Sequence, residues 1–163
     1  MIRAALPADV PRIAHFAAML VRQHHAYDER RFFLPERVEE GYAWWLRKEL
    51  SNDDVVLWVA EEGASIVGYV YARIEERDWN ALLDRCGVIH DIFVDEPQRR
   101  SGVATTLARS AIDALEQKGA PRVVLHTAAA NVGAQRFFDK LGFRATMIEM
   151  TREASSGDSQ RVG

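Results

Sequence analysis

Apolar residues along this chain keep two rhythms. From about residue 10 to 50 they recur every three or four positions, and from 55 to 94 they gather into short β-branched and aromatic runs. The first rhythm predicts helices and the second predicts strands. Residues 2–6 are short and β-permissive. Asp9 then stands where it can cap a helix with Pro11 in its first turn and Ile13, Phe16, Leu20 and Val21 on one face. A second helix is expected after Pro35, with Val38, Tyr42, Trp45, Leu46 and Leu50 near helical spacing. "VVLWVAEEGASIVGYVYARI" predicts a hairpin of Val55–Glu61 and Ile66–Ile74 that turns at Glu62-Gly63. "GVIHDIFV" predicts a fourth strand.

The rhythm then returns to helix from Gly102 to Lys118, with Val103, Leu107, Ala111, Ala114 and Leu115 inward and Gly119 as the stop. "RVVLHT" predicts a fifth strand, Asn131 caps a helix that ends at Gly142, and "FRATMIEMT" closes as a final strand. This order predicts an α/β fold: a mixed sheet with helices on both faces. One domain is expected over residues 1–152, and the small polar residues of 153–163 predict a disordered tail.

Bulk properties narrow the function classes. The 163 residues are long enough for a buried core, and a net charge of −3 supplies no global basic field for nucleic acid. No apolar run approaches the roughly 18 residues of a membrane span, and the N-terminus lacks a signal-peptide layout. Cys86 is the single cysteine, which rules out an intrachain disulfide. These features lead us to expect a cytoplasmic protein with neither membrane nor nucleic-acid partners.

The junction "DEPQRRSGVATTL", residues 95–107, changes the picture. Arg99, Arg100, Ser101 and Gly102 stand between the fourth strand and a helix mouth. The first amides of a helix lack intrahelical partners, and the macrodipole adds partial positive charge there. Gly102 and Ala104 leave that backbone approachable, two arginines add bidentate charge, and Ser101 adds a hydroxyl. The set suits a diphosphate. It is neither a P-loop nor a dinucleotide G-x-G-x-x-G.

"RRSGVA" (Arg99–Ala104) resembles the R/Q-x-x-G-x-G/A signature of the GNAT superfamily of N-acetyltransferases. It follows "HDIFVDEP", similar to that family's fourth strand. "LHTAAANVGAQRFFDKLGFR" further on resembles its fifth strand, its asparagine and its N-x-x-A-x-x-F-Y-x-x-x-G-F helix. The resemblance implies a GNAT fold with a mixed central sheet of about six to seven strands. It also implies acetyl-CoA as co-substrate. Backbone groups of Ile92, Phe93 and Val94 would pair with the pantetheine arm. Amides of Arg100, Ser101, Gly102, Val103, Ala104 and Thr105 would hold the pyrophosphate, with Arg99 beside them. Asn131 would contact the pantetheine, and the helix carrying Ala134, Gln135 and Phe138 would flank the thiol end. Many members pair into homodimers, which the resemblance leaves open for this chain.

Acetyl transfer to an amine needs a base for the ammonium proton and a proton source for the leaving thiolate. The family's usual tyrosine acid is replaced here by Phe138, which carries no proton to give. Solvent or the substrate's own ammonium could serve instead, as could Tyr69 or Tyr71 on the third strand. Three residues stand as candidate bases: His90 on the fourth strand, His126 on the fifth, and Asp91. Strict alternation puts His90, Ile92 and Val94 on one face and Asp91 and Phe93 on the other, but the resemblance implies a bulge in this strand, which leaves the choice open.

The acceptor side is less specific. His24 to Leu50 carries six acids and five bases, too even a balance to select a highly charged acceptor. His24, His25, Tyr27, Phe32, Phe33 and Trp79 could wall an aromatic pocket, while helical spacing assigns at least one of Trp44 and Trp45 to packing. Adjacent histidines diverge on a helix, so no metal site is expected. The expected reaction is acetyl transfer to a primary amine of a small molecule or peptide. The alternatives are a non-catalytic acyl-CoA-binding module on the same fold and a transferase using another acyl-CoA donor.

Overall fold

The computed structural model describes residues 1–154. One five-stranded sheet runs in the order β1 (Ile2–Ala4), β2 (Val55–Glu62), β3 (Ser65–Glu75), β4 (Cys86–Val94), β5 (Val123–Leu125). The first three pairings are antiparallel and β4–β5 is parallel, so the sheet is mixed. The hairpin forms where the sequence predicts it, although Glu62 pairs with Ser65 and moves the turn to Gly63-Ala64.

Strand alternation sorts the core into two layers. Val70, Ala72 and Ile74 of β3 pack with Ile89 and Val94 of β4 against Leu107, Ala111 and Leu115 of α3 (Val103–Gln117). On the opposite face Tyr69, Tyr71 and Phe93 pack against Val10, Ile13 and Phe16 of α1 (Val10–Tyr27) and Leu46 of α2 (Val38–Glu49). Gly87 lets α3 lie close to the sheet, since a Cβ there would stand 2.9 Å from Leu115 Cδ1. The amphipathic pattern therefore placed helices on both faces correctly. Trp45 packs edge-on against Tyr71 with centroids 4.7 Å apart, whereas Trp44 is exposed beneath the Lys48 ammonium.

Two expectations need correction. Asp9 does not cap α1; its carboxylate takes two bonds from Arg3 and one from the Leu6 amide, bracing the turn that precedes the helix. The final strand "FRATMIEMT" does not form, so five strands stand where about six to seven were expected. A strand needs a ladder partner, and β5, its natural neighbour, is only three residues long. Residues 144–152 instead run exposed after α4 (Val132–Lys140), with an Arg31–Glu149 ion pair tying them to the α1–α2 loop. Most of the expected polar tail lies outside the described residues.

Among the described residues no helix is long and apolar enough to cross a membrane. None of their His, Cys, Asp and Glu side chains forms a group of three that could hold a metal ion.

Candidate active site

The site begins where two parallel strands part. Pairing of β4 with β5 runs through Gly87↔Val123 and Val88↔Val124 and stops at Ile89↔Leu125. β5 ends there, but β4 continues to Val94 with only β3 beside it. The β5-side edge of Ile92, Phe93 and Val94 is thus open. Part of it is used internally, because Arg99 Nε donates to the Val94 carbonyl at 3.1 Å.

That edge leads to the mouth of α3. Past a short 3-10 turn at Glu96–Gln98, Arg100 adopts φ +66° and Gly102 φ +89°. A left-handed arginine is strained, and such strain persists where the surroundings hold it, often at ligand clamps. The first helical bond of α3 is donated by Thr106 to the Gly102 carbonyl. Among the described residues the amides from Arg100 to Thr105 donate no backbone hydrogen bond, and a Cβ at Gly102 would meet nothing within 4 Å. The result is a concave row of free N–H groups at a helix N-terminus, which favours an anion. Arg100 is exposed. The Ser101 hydroxyl, expected to face a ligand, donates to the Gln98 carbonyl and closes the turn.

β4 carries a bulge at the decisive point. Tyr71 pairs with Asp91 and Ala72 with Ile89, which leaves His90 as the extra residue. The bulge cancels the alternation expected for His90: its ring lies 5.5 Å from the Tyr71 ring, while Asp91 accepts from Tyr69 Oη at 3.1 Å. His90 and Asp91 therefore share the α1–α2 face, and Ile92 and Val94 face α3. His90 is exposed and its Nε2 lies 3.0 Å from Glu75 Oε1. Burial pushes the half-buried Asp91 carboxyl above the usual range, against the pull of the Tyr69 bond and of nearby His90 and His24. His126 stands exposed one residue past β5 and is not brought into contact with either.

The two tyrosines considered as acids are committed elsewhere. Tyr69 donates to Asp91, and Tyr71 Oη donates to Glu49 Oε2 at 2.6 Å. Burial first, then these carboxylates, push both phenols up and hold their protons in place. On α4, Asn131 Oδ1 caps the helix by accepting from the Ala134 amide at 3.1 Å. Gln135 Nε2 donates to the carbonyls of Ala128 and Ala129, which fixes the β5–α4 loop. Phe138 is 7% exposed and packs on Phe137 and Phe143. Of the aromatic wall, His24 stacks edge-on against Phe32 at 5.2 Å, while Phe33 and Trp79 are exposed. His24 and His25 each bond a backbone carbonyl, so the pair diverges as expected.

Glu75 and Arg73 went unnoticed in the sequence, and Glu49 figured only among the six acids between His24 and Leu50. Glu75 reaches His90 across fifteen positions, and only the β3–β4 pairing brings them together.

A parted parallel pair whose open strand runs into a bare, glycine-opened helix mouth makes an extended edge that ends in an anion cradle. The chain matches the family described as "Acetyltransferase (GNAT) family" over residues 18–143 and belongs to it. It is 28% identical over 130 residues to an uncharacterized N-acetyltransferase of Methanocaldococcus jannaschii, covering 78% of this chain and 54% of the relative. It is 31% identical over 116 residues to human N-alpha-acetyltransferase 30, covering 71% and 31%. The chain thus spans about half or less of these relatives' length. Among solved structures it resembles AAC(6')-Iy in complex with the bisubstrate analogue CoA-S-monomethyl-acetylneamine, at TM-score 0.74 and 18% identity, with 95% of this chain and 97% of that chain covered.

Proposed function

We propose that this protein transfers the acetyl group of acetyl-CoA to a primary amine of a small molecule or peptide by direct attack on the thioester. The open β4 edge running into the free amides of Arg100–Thr105 carries this reading. The relatives' names support the amine class, and the neighbour solved with a CoA analogue supports the donor.

The residues present fit that donor. Ile92 and Phe93 offer backbone groups to an extended arm, the α3 mouth offers amides and dipole to a diphosphate, and Arg100 offers an exposed cation. When bound, acetyl-CoA supplies the activated acyl group. The chain's own residues handle the amine. Asp91 holds the incoming ammonium through a carboxylate whose one hydrogen-bond donor among the described residues is Tyr69. His90 takes its proton: with Nε2–H donated to Glu75, Nδ1 keeps its lone pair and acts as the base. No side-chain acid stands at Phe138, so solvent serves as the proton donor.

The reading is tested by following free CoA thiol released from acetyl-CoA, with and without a panel of primary amines, between about pH 6 and 9. Amine-dependent release is expected. Arg100→Ala should raise the acetyl-CoA KM on the order of 10-fold or more if it loses a charge-assisted contact of about 1.5–3 kcal/mol. Tight CoA binding without amine-dependent release would sink the transferase reading. It would instead favour an acyl-CoA-binding protein, the reading that Phe138 in place of an acid recommends.

A further inference from the structure

One face of β3 carries a polar series that the cradle does not need. Strand alternation sends Tyr69, Tyr71, Arg73 and Glu75 to the same side, between the sheet and α2. Their contacts form a continuous line. Tyr71 Oη donates to Glu49 Oε2, and Arg73 Nη1 reaches the same oxygen at 3.3 Å. Arg73 Nε lies 3.4 Å from Glu75 Oε1, at ion-pair distance but without hydrogen-bond geometry. Glu75 Oε1 meets His90 Nε2 at 3.0 Å. Side-chain exposure rises along the line: 12% at Glu49, 28% at Arg73, 39% at Glu75 and 41% at His90. Charge alternates from the interior outward and ends on an imidazole at the mouth.

We infer that Glu75 is the positioning residue for His90, holding the Nε2–H tautomer and ring orientation that leave Nδ1 as proton acceptor. This rests on the reading of His90 as the base. Three features of the geometry support it. His90 is a bulge residue, so the β-ladder does not by itself fix where its ring points. The Tyr71 ring, 5.5 Å away and tilted 37° to the imidazole, is one neighbour that restrains it. Glu75 supplies the other restraint, and Arg73, anchored on the more buried Glu49, keeps the Glu75 carboxylate from swinging away. In the proton transfer the amine N–H bond breaks and an Nδ1–H bond forms. The imidazolium then faces the Glu75 anion through Nε2–H, and the proton on Nε2 stays where it was.

A double-mutant cycle separates positioning from simple structural support. Glu75→Ala is expected to lower kcat on the order of 10-fold or more while leaving the acetyl-CoA KM within about threefold, because it lies outside the cradle. Added to His90→Ala, the Glu75→Ala change is expected to cost nothing further, since Glu75 acts only through His90. Losses that multiply, or an unchanged kcat in Glu75→Ala when His90→Ala is slow, would overturn the inference. Glu75→Gln keeps an acceptor oxygen without the charge and serves if the alanine variant fails to fold.

A second readout needs no turnover. The His90 Nε2–H proton, assigned by its disappearance in His90→Ala, should give a protected ¹⁵N-coupled NMR signal in the wild type and lose it in Glu75→Ala. Should His90→Ala keep full kcat, the base reading fails. Glu75 is then judged on this signal alone, and an unchanged signal in Glu75→Ala rejects the pairing.

Discussion

Two aspartates, Asp9 before α1 and Asp91 beside the β4 bulge, are placed in opposite ways. Asp9 is 8% exposed and its carboxylate accepts three hydrogen bonds: Arg3 donates twice, at 2.7 and 3.1 Å, and the Leu6 amide once, at 2.7 Å. The Arg3 bond, outweighing burial, holds that carboxyl below its usual range. Asp91 sits against Tyr69 with one donor at 3.1 Å and no arginine or lysine partner among its described contacts. Burial raises it instead. A carboxylate saturated by its own chain belongs to the fold. One with spare lone pairs, next to a bulge, has capacity for a ligand, and perturbed groups of this kind gather at functional sites.

Removing each carboxylate in turn should have opposite consequences. The largest effect is expected at Asp91. Asp91→Ala should lower kcat/KM for the amine on the order of 10- to 100-fold, through loss of a charge-assisted contact of about 1.5–3 kcal/mol. Thiol-release kinetics at varied amine concentration check this, and an unchanged kcat/KM would return Asp91 to the fold. Asp9→Ala should do the reverse. Urea denaturation should show a loss of about 1–3 kcal/mol from the orphaned Leu6 amide and the broken turn, with kcat/KM unchanged while the chain stays folded.

Next in size come opposite responses to pH. Asp91 has a raised folded-state value, so its ionisation-linked stability is full below the unfolded value near 3.9 and is lost as pH rises through the raised value. Asp9 has a lowered one, so its contribution is present above about 3.9 and is lost as pH falls. Melting temperatures of wild type and Asp91→Asn should therefore converge, or cross in favour of wild type, as pH drops from 7 toward about 4. The advantage of wild type over Asp9→Asn should shrink over the lower end of the same range. Parallel slopes in the two series would contradict the assignment.

The same contrast explains what could be read from the sequence. Backbone features were legible because they depend on local residue types. Gly102 at a positive φ, Gly119 ending α3 with φ +86° and Asn131 capping α4 each follow from one residue and its neighbours. The apolar periods of α1, α2 and α3 located both core layers for the same reason. Side-chain partnerships across long separations were not legible. Arg3 draws Asp9 away from the cap it was expected to form, a competition set by the fold of 2–9 against β2. The bulge in β4 was implied by the family resemblance, with no glycine or proline to place it at His90, and Glu75 becomes a partner only through strand register. The last strand failed for a related reason: "FRATMIEMT" has the pattern, but a strand also needs an edge long enough to pair with, and β5 offers three residues.

The smallest expected effect is also the most selective. Tyr69 is fully buried, and Tyr69→Phe removes only the oxygen that donates to Asp91. The ring still fills its place against Phe93 and α1, so no cavity opens, and the cost should be about 0.5–1.5 kcal/mol for the lost bond. That bond lowers the Asp91 carboxyl against the upward push of burial. Without it the carboxyl should rise further, and the linked stability should persist to higher pH before it is lost. Thermal denaturation of Tyr69→Phe and wild type from about pH 4 to 8 should show a smaller deficit at the acid end than at neutral pH. A deficit constant with pH would mean that the phenol packs beside Asp91 without serving it. The Asp91 carboxylate would then have no donor from its own chain, and its contrast with Asp9 would be greater still.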